Sequence, residues 1–143
     1  MYRRIIAEEY ISELGNDDLL DYKMYSFHGE PKLTVVCSDR FSKTGTRMNF
    51  YDIDWKSMGI HFGHYPPLPT EFPRPETYDE MLRIATELSK DCPFLRVDFY
   101  EIKGRLYIGE LTFFPGAGLE QFRPISKDYE LGEWLHLETV HRS

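Results

Sequence analysis

The feature that most restricts the possible folds is a pair of alternating runs, Phe94 to Ile102 and Leu106 to Phe113, on either side of Lys103-Gly104-Arg105. Period-two alternation puts successive side chains on opposite faces of an extended chain, and a short glycine-containing link folds it back antiparallel. A β-hairpin is therefore predicted, with Leu95, Val97 and Phe99 on the core face and Arg96, Asp98 and Tyr100 on the other. On the return strand, Leu106, Ile108, Glu110 and Thr112 are predicted to share a face. A three-residue turn at 103–105 pairs Ile102 with Leu106, Asp98 with Glu110 and Arg96 with Thr112. A two-residue turn would shift the register by one and send Glu110 to the face opposite Asp98.

In the first register two carboxylates meet side by side. Like charges directly opposed across a sheet destabilise it unless a cation lies between them or one group is protonated. Mg²⁺ meets that need, since it takes hard oxygen ligands and is commonly held by one or two carboxylates together with substrate phosphates. The same pattern also fits an exposed charged sheet face on which Arg96 is an ion-pair partner.

Elsewhere the chain reads as further strands and two helices. Arg4 to Ile11 forms a short strand, and Asp21 to His28 alternates Tyr22, Met24 and Ser26 against Lys23, Tyr25 and Phe27. Gly29-Glu30-Pro31 is predicted to turn the chain into a partner strand, Lys32 to Asp39, and a third extended stretch runs from Arg47 to Trp55. Five prolines between residues 56 and 76 fix φ and remove donors, so that segment reads as an irregular connection. Thr77-Tyr-Asp-Glu80 matches a capping box and opens a helix over Tyr78–Lys90, whose apolar face is Tyr78, Met81, Leu82, Ala85 and Leu88. Asp128 to Leu137 reads as a terminal helix. Strands, then a helix, a hairpin and a helix predict an α+β fold with a mainly antiparallel sheet.

Composition narrows the function classes. A formal net charge of -7 opposes general nucleic-acid binding, which needs a basic surface. Cys37 and Cys92 have no metal-ligand spacing and read as reduced, cytoplasmic thiols. No apolar run reaches the roughly 20 residues of a membrane span. His61-x-x-His64 lies among prolines without a third ligand at a recognisable spacing, so zinc is not indicated.

Arg96-Val-Asp98 followed by Gly109-Glu110-Leu-Thr112-Phe-Phe-Pro115-Gly116 resembles the terminal metal-binding hairpin of ATP-grasp enzymes, with Thr112 where the general superfamily has Asn. Asp21-Tyr-Lys23, Phe27-x-Gly29-x-Pro31, Cys37-Ser-Asp-Arg40, Phe50-Tyr-Asp-x-Asp-Trp55 and Leu131-Gly-Glu-Trp134 extend the resemblance to the TupA-like branch. The resemblance implies a carboxylate–amine or thiol ligase that uses ATP and Mg²⁺ and proceeds through an acyl phosphate in surface polysaccharide or teichuronopeptide synthesis. It implies catalytic roles toward phosphate for Lys23, Arg40 and Arg96, and metal ligation by Asp98, Glu110 and Thr112. Glu8, Glu9, Tyr10 and Ile11 resemble the strand that meets adenine and ribose, with Lys23 also on the nucleotide. By the same resemblance, residues 1–143 are expected to be one C-terminal subdomain. The N-terminal subdomain and its glycine-rich loop would come from a separately encoded half, or the chain would work as a homo-oligomer. The alternatives are a non-catalytic nucleotide- or partner-binding domain and a glycosyltransferase-associated protein; against the latter, no DxD-like pair stands outside Asp52-x-Asp54.

Overall fold

The computed structural model describes residues 5, 7, 19–38, 46–63 and 71–137. Its strands are β1 (Asp21–Phe27), β2 (Glu30–Ser38), β3 (Arg47–Asp52), β4 (His61–Phe62), β5 (Phe94–Ile102), β6 (Arg105–Thr112) and β7 (Phe122–Arg123). The helices are α1 (Tyr78–Ser89) and α2 (Ile125–Gly132), with a 3₁₀ turn at Pro115–Gly118. Five strands form one antiparallel sheet in the order β3-β2-β1-β5-β6, and β4 and β7 make a small second sheet. This is the expected α+β class. The strand expected at Arg4–Ile11 falls largely outside the described residues. No described helix is long and apolar enough to cross a membrane.

Alternation along β1 and β5 produces two cores, one on each sheet face. Tyr22, Met24, Val36, Leu95, Val97 and Phe99 pack against Tyr78, Met81 and Ala85 of α1. The other face carries Tyr25, Phe27, Leu33, Val35, Cys37 and Phe50, closed by Ile60, Phe62 and Leu131. Trp55 stacks flat on Tyr51, with ring centroids 4.5 Å apart, and meets Tyr78 edge-on. The described parts of 56–76, residues 56–63 and 71–76, are largely irregular, but among them β4 pairs with β7, a contact 60 residues away that local pattern does not reveal.

Several expected boundaries shift for identifiable reasons. The first hairpin turns at His28-Gly29, both left-handed (φ 50° and 83°), so Glu30 and Pro31 join β2 rather than the turn. A helix over Tyr78–Lys90 becomes Tyr78–Ser89, and its buried stripe is Tyr78, Met81, Ala85 and Ser89. Leu88 falls off that stripe and is 41% exposed. The capping box does not form: Thr77 donates both its N–H and its hydroxyl to Glu101 Oε2, at 2.8 and 2.6 Å. A carboxylate from β5 thus replaces the expected Thr77–Glu80 exchange and ties the helix start to the sheet. The terminal helix lies at Ile125–Gly132, earlier than Asp128–Leu137, while Trp134 and Leu135 follow it as packed loop residues.

The second hairpin reaches the predicted outcome by another route. Its turn is the two-residue Lys103-Gly104, both left-handed, which pairs Ile102 with Arg105 and Phe99 with Ile108. Carried onward, that register would put Glu110 on the wrong face. Gly109 instead stands as an extra residue in β6, and beyond this bulge Asp98 pairs with Glu110 and Arg96 with Thr112. Leu106 and Ile108 consequently face the α1 side, opposite Glu110 and Thr112; the four do not share a face. A Cβ on Gly109 would lie 2.5 Å from Cε2 of Tyr100, so the ring occupies the space that glycine leaves.

Gly109→Ala should therefore destabilise the protein by about 1–3 kcal/mol through overpacking against that ring. In a double-mutant cycle followed by chemical denaturation, Tyr100→Ala should remove most of the increment. Equal effects in both backgrounds would show that the bulge does not depend on this contact.

Candidate functional site

Asp21 and Lys23 of β1, Arg96 and Asp98 of β5 and Glu110 of β6 gather on the face opposite α1. Asp21 and Lys23 are two apart on β1 and share that face; Lys23 lies directly across from Asp98, and Tyr25 across from Arg96. Lys23 Nζ bridges Asp21 Oδ2 at 2.7 Å and Asp98 Oδ2 at 2.5 Å. Arg96 grips Asp98 with two donors, Nε to Oδ1 at 2.7 Å and Nη2 to Oδ2 at 2.9 Å, and Nη2 also reaches Glu110 Oε2 at 3.3 Å. The Asp98 residue is 2% exposed and Asp21 0%, whereas the Glu110 side chain is 62% exposed. The cluster thus runs from a buried floor to an open rim.

Electrostatics follow from that gradient. Burial alone would lower the Lys23 pKa, but attraction and hydrogen bonding from Asp21 and Asp98 outweigh it, and the net shift is upward. Arg96 behaves alike, burial opposing and Asp98 prevailing, so both cations stay charged. Burial pushes the Tyr25 phenol up despite its neighbour Arg96, which keeps it neutral. The facing carboxylates are therefore already separated by a cation, the Arg96 guanidinium, supported from below by Lys23. Opposition of Asp98 and Glu110 by itself does not demand a metal.

A hard divalent cation nevertheless has donors here. Thr112 Oγ1 is buried and has no hydrogen-bond partner among the described residues. It follows Glu110 by two on β6 and shares its face. Among the described residues, no group of three His, Cys, Asp or Glu side chains could hold an ion unaided. Glu110, Thr112 and Asp98 are hard oxygen donors of the kind that could hold Mg²⁺ together with phosphate and water.

Of the residues singled out from the sequence, Lys23, Arg96, Asp98, Glu110 and Thr112 come together. Arg40, Glu8, Glu9, Tyr10 and Ile11 lie outside the described residues. Sequence reasoning passed over three neighbours. Asp21 was legible from its two-residue spacing to Lys23. Tyr25 reads as core, and Glu120 lies in a loop where no local signal directs it toward Tyr25.

Comparison with protein families matches residues 1–136 to the TupA-like ATP-grasp family. No curated protein and no solved structure matches the chain.

Replacing Lys23 by Met leaves Asp21 and Asp98 buried without their shared ammonium and should cost about 3–5 kcal/mol near neutral pH. Because the folded-state pKa of Lys23 is raised, its stabilisation is complete below about pH 10.5 and is lost as pH rises through the folded value. Denaturation curves of both proteins should therefore converge above that pH. A gap that stays constant into strong alkali would contradict the assignment.

Proposed function

This chain belongs to the TupA-like ATP-grasp family, and we propose that it forms the Mg-ATP-binding part of a ligase joining a carboxylate to an amine or thiol through an acyl phosphate. The observation that carries this reading is the mixed-charge cluster on one sheet face, where Lys23 and Arg96 stand among Asp21, Asp98 and Glu110. Among the described residues, two cations against three carboxylates leave one negative charge in excess, which favours a divalent cation. The two cations in turn suit the anionic oxygens of a triphosphate.

Phosphoryl transfer requires positioning and charge neutralisation more than covalent chemistry from the protein. Lys23 and Arg96 are suited to it because both are mostly buried, stay protonated and are fixed by carboxylates. Arg96 meets Glu110 at the rim, where the planar guanidinium can turn from a carboxylate to a phosphate with little motion. Glu110, Thr112 and Asp98 would hold Mg²⁺, which when bound screens charge on the phosphate oxygens. The setting we propose, from family resemblance, is cell-surface polysaccharide or teichuronopeptide synthesis.

A second reading is nucleotide binding without turnover. It is favoured by the hydrogen bonds that already engage both oxygens of Asp98, two from Arg96 and one from Lys23. Under it, Mg-ATP binds but no ADP forms with any acceptor.

Glu110→Gln removes the exposed carboxylate while leaving the buried floor intact, so folding should be unchanged. Mg-ATP affinity, measured by calorimetry, should fall about tenfold or more. Equal affinity in the two proteins would sink the metal assignment.

A further inference from the structure

On the same sheet face as the charge cluster lies a cavity of about 580 Å³, bounded by the sheet, the Pro115–Gly118 turn and α2. Tyr25 lines it, and on β1 Tyr25 stands two residues from Lys23 and directly across from Arg96, so the cavity adjoins the cluster. The ring pairs Phe27–Phe94 and Phe62–Phe122, with centroids 5.2 and 5.0 Å apart, form aromatic walls. Phe113, Phe114 and Leu137 line it too but are 54%, 79% and 67% exposed, so the apolar lining continues out to the surface.

The polar groups of the lining are already engaged. Asp128 Oδ1 accepts the N–H of Phe122 at 2.9 Å, and Glu120, which folds against Gly116 of the turn, is not free either. The wall carbonyls of Phe114, Leu131 and Gly132 accept the N–H groups of Ala117, Trp134 and Leu135 at 3.2, 3.2 and 3.0 Å. No lysine, arginine or histidine among the described residues lines the space. A charged or strongly polar group placed inside would lose its water without gaining a partner. An apolar group instead removes from water both its own surface and that of Phe113, Phe114 and Leu137. The concave shape and a volume within the range of small-molecule sites suit a small ligand better than a second protein surface.

We infer that this cavity binds a neutral apolar group, an aryl ring or a short or branched alkyl chain. The inference rests on the ligase reading in one respect: there the group is the body of a compound being joined, with its reacting end outside the cavity toward the cluster. The substrate class then narrows from any carboxylate, amine or thiol to one with an aryl or alkyl body.

The test uses toluene as probe on the full chain, without ATP or Mg²⁺, followed by NMR of the methyl groups. Shifts should concentrate at Leu33, Leu131 and Leu135 and spare Val97 and Met81 on the α1 side. N-Methylpyridinium, of the same shape but with a charge on the ring, should bind at least about tenfold more weakly. Phe114→Ala and Leu137→Asp alter exposed residues and leave the core intact, and each should weaken toluene about threefold or more. No shifts up to the solubility limit of toluene, shifts centred on the α1 side, equal or tighter binding of N-methylpyridinium, or indifference to both substitutions would each overturn the inference. So would self-association in sedimentation that both substitutions abolish, since the occupant would then be a second copy of this chain. Because nucleotide is absent throughout, toluene binding with no Mg-ATP binding would sink the ligase reading alone, and the reverse result would sink this one alone.

Discussion

The structure around the site depends on one buried carboxylate. Asp98 lies in the middle of the sheet with its oxygens held by Arg96 on its own strand and by Lys23 across β1, and Lys23 is in turn held by Asp21. Removing a charge from water costs several kcal/mol, so such a group is kept only with complete, well-oriented partners. That requirement fixes the register of β1 against β5, since a one-residue slip would carry Lys23 to the α1 face. It also fixes the side of the sheet on which Lys23 and Arg96 stand. The apolar alternation of Tyr22, Met24, Val97 and Phe99 specifies the same register from the other face. Packing and electrostatics therefore agree at these strands.

Much of this arrangement was legible in the sequence because it follows from period two. The spacings Asp21-x-Lys23, Arg96-x-Asp98 and Glu110-x-Thr112 each place a pair on one face wherever the strand is regular. The pairing of Asp98 with Glu110 was reached through the wrong turn. Lys103-Gly104 is a two-residue link, and the bulge at Gly109 restores the pairing. A glycine within a strand pattern is itself a bulge signal, so that correction was within reach. What pattern could not supply was long-range. Glu101 replaces Glu80 as the partner of Thr77, β4 finds β7, and Glu120 is brought toward Tyr25 by a turn with three left-handed residues, Gly116, Ala117 and Gly118. Each depends on which distant element lies nearby, and no local propensity carries that information.

The face opposite α1 carries two regions of different character, the charge cluster and an apolar cavity beside it. On the cluster side, Lys23 and Arg96 are held in place by carboxylates. On the cavity side, Phe62, Phe94, Phe114 and Phe122 line an apolar space with Tyr25 in its wall.

The claim at the centre of this account is that the β5–β6 hairpin, by way of its bulge, makes the metal–nucleotide site. Paramagnetic broadening of backbone amide NMR signals by Mn²⁺ in the presence of a non-hydrolysable ATP analogue tests it directly. The account predicts selective loss of signal at Asp98, Glu110 and Thr112 and at Lys23 across the strand, with α1 unaffected. Broadening centred elsewhere, for example on the Asp52–Asp54 turn, or none above that caused by Mn²⁺ alone, would contradict it.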